Sequence, residues 1–180
     1  MTLPTMKFSC FAAVAIIALG YANSSRAEEP KPLTIEQTIA ITNGLAVIGG
    51  CKDGSPAANK TCELYDLKPS VRWTIAMDIA RGRDVGQHYN EQCDAITQSL
   101  GGERCAVFTP LPASATPVEV DKQTKAIAAF NRQVKDLMAT PSGIVFGRLH
   151  KADLNMKDDD PKANRFPVDA LSMILPIVDE

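Results

Sequence analysis

Apolar residues recur at helical spacing along most of this chain, and glycines and prolines mark the breaks between the runs. The first run, Ile35, Ile39, Leu45 and Ile48, is closed by Gly49-Gly50. Thr34-Ile35-Glu36-Gln37 ahead of it has the form of a capping box: the threonine hydroxyl accepts from a free backbone N–H and Gln37 reaches back to the cap. The longest run, over residues 70–100, sets Ile75, Ile79, Gly82, Gly86, Tyr89, Cys93, Ile96 and Leu100 alternately four and three residues apart. This heptad-like seam predicts one long helix packed against another. Gly82 and Gly86 each weaken a helix by about 1 kcal/mol relative to alanine. Lying on the seam, they would let a partner backbone or a large side chain approach closely. The alternative is a break at Arg81-Gly82-Arg83 that divides the run into two helices.

Residues 109–117, with Pro110, Pro112 and Pro117, read as an extended connector. Thr116 can cap, and Pro117 can occupy the first turn of, a helix whose stripe is Val120, Thr124, Ile127, Phe130, Val134, Leu137 and Met138 and which ends before Pro141. Strand signals are short: residues 63–67 around Leu64 and Tyr65, residues 144–149 with Ile144-Val145-Phe146, and residues 152–156, where Leu154 and Met156 alternate with polar neighbours. Residues 158–165 form a charged loop. Pro167 starts a terminal helix carrying Val168, Leu171, Leu175 and Val178, which Pro176 should end or kink. The fold class is therefore mainly α, bordering on α+β, with about four helices and one or two short strand pairs.

The N-terminus differs from all of this. Lys7 precedes an apolar run over residues 8–20, and Ser25-Arg26-Ala27 puts small residues at the −3 and −1 positions of a cleavage site before Glu28. Residues 1–27 read as a secretory signal peptide, which leaves 28–180 as a single α-rich domain, periplasmic or secreted. The run is short of the roughly 20 residues that span a bilayer, and the mature chain has no transmembrane span. Cys10 lacks the aliphatic residue that a lipid-attachment site places ahead of its cysteine. A cytosolic helix over the same residues would have neither cap nor polar face. In an oxidising compartment Cys51, Cys62, Cys93 and Cys105 form an even set suited to two disulfides. Four cysteines allow three pairings; Cys51 with Cys62 and Cys93 with Cys105 is preferred because short loops close with less entropy loss. Without Lys7 and Arg26, the mature chain is more acidic than the formal −2 of the whole sequence. That is the wrong balance for a nucleic-acid partner, whose phosphates are neutralised by clustered positive charge.

Candidate chemistry is sparse. His88, Glu91 and Cys93 are ligand types, but Cys93 lies five residues from His88 and has a disulfide to make, so no metal is expected. His150 has no companion. Asp153, Asn155, Asp158, Asp159 and Asp160 are rich in oxygen, yet a calcium loop counted from Asp153 would need glycine and glutamate where Asp158 and Asn164 stand. No nucleophile elbow and no C-x-x-C pair occurs. No catalytic residue is assigned and no cofactor is expected. Tyr65, Arg72 and Trp73, at the entry to the long helix, are residue types enriched at binding hot spots; they are the candidate partner surface, with helix-end anchoring as the alternative.

Asp153-Leu154-Asn155, Phe166-Pro167-Val168, Leu171 and Leu175-Pro176-Ile177-Val178, together with Tyr65-x-Leu67 and Val71-Arg72-Trp73-x-Ile75-Ala76, resemble segments of short uncharacterised α-rich proteins of bacterial and prophage genomes. The resemblance implies a helical body with a small strand element and carries no activity or site. The expectation is a non-enzymatic exported protein that binds another protein or a cell-envelope component, with the helical seam open to oligomerisation. The alternatives are a small-molecule or metal-binding periplasmic protein with a pocket near Gly82 and Gly86, and a hydrolase whose residues assemble only in the fold.

Overall fold

The computed structural model describes residues 32–57, 62–156 and 160–179; the leader over residues 1–27 and Asp158 and Asp159 lie outside them. Helix α1 (Ile35–Ile48) opens as its capping box requires: the Thr34 hydroxyl accepts from the Gln37 N–H at 3.2 Å, and the Gln37 side chain accepts from the Thr34 N–H at 3.0 Å. Helix α2 (Pro69–Ser99) starts on a proline, whose missing N–H would have had no partner in the first turn, and runs without a break through both glycines. Helix α3 (Pro117–Met138) is opened by a second capping box, Thr116 with Glu119.

Helix α4 (Val168–Ile174) passes into a 3-10 turn, Leu175–Ile177, because Pro176 has no N–H to donate to the preceding turn. Val178, expected on that helix, lies beyond it. Strand β1 (Leu149–His150) pairs in parallel with strand β2 (Val178–Asp179), Leu149 opposite Val178 and His150 opposite Asp179.

The other strand expectations are corrected. Residues 144–148 join no sheet: the Ile144 N–H donates to the Ser142 hydroxyl at 3.3 Å and the Gly147 N–H to the Asp78 carboxylate at 2.9 Å. Residues 152–155 form turns, with the Asp153 and Leu154 N–H groups donating to the His150 carbonyl. Of residues 63–67, only Leu64 makes a bridge, an isolated one to Cys51.

Helix α1 packs against both α2 and α4. Its neighbours approach closely where one side lacks a Cβ. A Cβ on Gly44 would lie 2.9 Å from the Ala170 carbonyl oxygen, Met173 Cβ and Ile174 Cγ2. One on Gly82 of α2 would lie 1.8 Å from Oγ1 of Thr42 on α1. Gly82 therefore serves the close helix approach that its place on the seam implies, whereas a Cβ on Gly86 would meet nothing within 4 Å. Ile41, Leu45 and Ile48 of α1, Ile75 of α2, Leu154 and Ile174 form the fully buried centre, each contributing about 1.5–3 kcal/mol by burial. Two disulfides staple the loops, Cys51 to Cys62 and Cys93 to Cys105. Beyond α2 the chain turns at Gly101 (φ +85°), and Asp94 accepts from the Cys105 N–H at 2.6 Å.

Candidate functional site

The three residues at the entry to α2 have different surroundings. Tyr65 is buried, its ring 4.4 Å from that of Phe166, and belongs to the core rather than to a surface. Arg72 turns back along the chain: Nη2 donates to the Tyr65 carbonyl and Nε to the Leu67 carbonyl at 3.2 Å. It ties the incoming segment to the first turns of the helix. Trp73 alone faces solvent, at 69% exposure.

Trp73 is not isolated on the helix. Ala76, Met77 and Ala80 are also exposed, and positions 73, 76, 77 and 80 share one face of an α-helix. Helix α2 thus carries two apolar stripes over its N-terminal half: an inner one with Val71 and Ile75, both buried, and this outer one. The outer stripe was legible in principle, since its spacing is plain; two of its members are alanines, which give little hydrophobic contrast.

The outer face is backed by a firmly seated helix. Asp78, 1% exposed, accepts from the Gly147 N–H at 2.9 Å through one oxygen and from the Arg81 guanidinium at 3.1 Å through the other. A buried carboxylate with both oxygens partnered is tolerated where an unpaired one would not be, and here it fastens the extended segment 144–148 to α2. The approach is close enough that a Cβ on Gly147 would lie 2.8 Å from Thr74 Cγ2. The sequence reading missed Asp78, which has no local signature: its backbone donor lies 69 residues away.

The remaining candidates do not converge. His88 is exposed, with Nδ1 4.0 Å from Glu91 and Nε2 2.5 Å from the Gln92 amide nitrogen, while Cys93 is fully buried and bonded to Cys105. His150 is exposed on β1. Among the described residues, no three His, Cys, Asp or Glu side chains are grouped to hold a metal ion. The Lys68 ammonium, 2.8 Å from Asp153, holds that carboxyl below its ordinary range, chiefly through the hydrogen bond it donates. Among the described residues, no helix is long and apolar enough to cross a membrane. No family model matches the chain, and neither curated proteins nor solved structures gave a match.

Proposed function

We propose that this chain is an exported, non-enzymatic protein that binds another protein or a cell-envelope component through the face of α2 carrying Trp73 and Met77. The observation that carries the reading is the exposure of Trp73, 69%, in register with Ala76, Met77 and Ala80 on a helix whose opposite side is held by the core and by Asp78. Single exposed apolar side chains are ordinary. A tryptophan flanked by small residues on a rigid helix supplies apolar contact area at little cost in ordering, which is the usual composition of a binding hot spot. Export is supported by the leader sequence and is compatible with the two disulfides.

Site-specific photocrosslinking in the producing cells tests this. A photoreactive side chain at position 73 or 77 is expected to give a discrete adduct, and one at the exposed position 162, away from both α2 and α3, is not. Trp73→Ala should abolish the adduct formed from position 77 while leaving the melting temperature within about 2 °C, as for surface substitutions worth less than about 0.5 kcal/mol. Equal labelling at all three positions, or none at 73 and 77, would overturn the reading. Intact mass of the protein recovered outside the cytoplasm should lack residues 1–27, and a full-length cytoplasmic chain would overturn export.

A further inference from the structure

Helix α3 carries more apolar surface than the other described residues cover. Phe130 is its one buried residue, with Gln123, Ala126 and Leu137 half-buried on the same side. Beside that contact runs a second line: Val120, Thr124, Ile127, Asn131, Val134 and Met138, alternately four and three residues apart. This is the a/d spacing of a coiled-coil seam. Val120 is 48% and Ile127 39% exposed, Thr124 and Asn131 are exposed, and Val134 and Met138 are half-buried.

We infer that this line is the seam of a homodimer in which α3 packs antiparallel against α3 of a second copy. In antiparallel register Val120 faces Met138 of the second copy, Thr124 faces Val134, and Ile127 faces Asn131. Charge selects both the occupant and the direction. Asp121, Ala128 and Lys135 line the outer border of the seam, all exposed, and antiparallel pairing sets like borders together. Asp121 then meets Lys135 of the second copy, and two-fold symmetry repeats the pair at the other end. A parallel pair would instead set these residues against the border that carries Gln123, Phe130 and Leu137, which faces the body of its own chain, and would form no ion pair.

Asp121 already has Lys125 at 2.7 Å, an exposed helix pair of small worth, while Lys135 has no ion-pair partner among the described residues. The seam is about 30 Å long at the helical rise per residue. Asn131 within it, set opposite Ile127, lowers affinity, so the dimer is reversible.

Sedimentation equilibrium of the purified protein over a wide concentration range is the test. The expected result is a monomer–dimer equilibrium that Ile127→Lys weakens by more than about tenfold. Asp121→Lys or Lys135→Asp alone should weaken it, and the two together should restore it. Trp73→Ala should leave it unchanged, which keeps this inference separable from the proposed role of α2. Circular dichroism should show the same helix content in every variant. A monomer at all concentrations, a dimer indifferent to Ile127→Lys, no recovery in the doubly reversed chain, or a dimer lost on Trp73→Ala would each overturn it.

Discussion

Helix α1 opens with Thr34 and Gln37 in a capping box and buries seven of its residues, whereas α3 opens with Thr116 and Glu119 in the same motif and buries Phe130 alone. A cap satisfies free backbone N–H groups and so decides where a helix begins. What the helix contributes to the core depends on its neighbours. Helix α1 is flanked by α2 and α4, and its apolar residues accordingly lie on more than one side. Helix α3 keeps a polar side and a single wide stripe, of which the other described residues cover only a part. Two helices with matching starts thus stand at opposite ends of the range from burial-dominated to locally determined stability.

The largest effect expected from this contrast comes from Leu45→Ala in α1, which removes a fully buried side chain and should cost about 2–5 kcal/mol in urea unfolding; Ile127→Ala in α3, tested below the dimer concentration, should cost less than about 1 kcal/mol. A similar loss at both sites would erase the distinction. Next come the two glycines of α2. Gly82→Ala drives a Cβ into Thr42 and should destabilise by about 1–3 kcal/mol. Gly86→Ala, with open space beside it, should stabilise by up to about 1 kcal/mol through helix propensity. Opposite signs in thermal melts are the expected outcome.

Thr116→Ala should cost about 1 kcal/mol, read as faster hydrogen exchange confined to the first turn of α3, whereas exchange spreading into α1 would show the two helices to be energetically fused. The smallest effect is one of pH. Hydrogen bonds from the Thr116 backbone, and then from its side chain, hold the Glu119 carboxyl below its ordinary range. A folded value lower than the unfolded one means that the contribution is complete above the ordinary glutamate value and is lost as pH falls through the folded value. The Glu119 carboxyl resonance should therefore titrate at lower pH than in Thr116→Ala, which keeps the backbone donor and loses the hydroxyl, and identical titrations would remove the hydroxyl from the account.

Where structure follows from neighbours in the sequence, it was legible. The Thr34 and Thr116 starts, the unbroken seam of α2 and the two disulfides, closed over separations of 11 and 12 residues, all depend on nearby positions. Residues 144–148 were legible as extended chain but not as unpaired chain, because their hydrogen bonds go to the side chains of Ser142 and Asp78 and no periodicity encodes such a donor and acceptor. Val178 fits the spacing of the terminal helix, yet Pro176 turns it out into β2. Of the three residues singled out by type at the candidate site, Trp73 is left exposed, while Tyr65 and Arg72 were drawn into the core and the backbone by Phe166 and by two carbonyls. Only tertiary contacts carry that difference.

The close crossing of α1 and α4 at Gly44 bears on the order in which the molecule can assemble. Ile41 and Leu45 share one buried cluster with Ile174 and Ile177, which lie far downstream in the sequence. A polypeptide that emerges N-terminus first, whether from a ribosome or from a translocation pore, leaves the α4-facing side of α1 uncovered until residues 168–177 are released. Contacts of such wide sequence separation form slowly, so this part of the core closes only once residues 168–177 are free to reach α1.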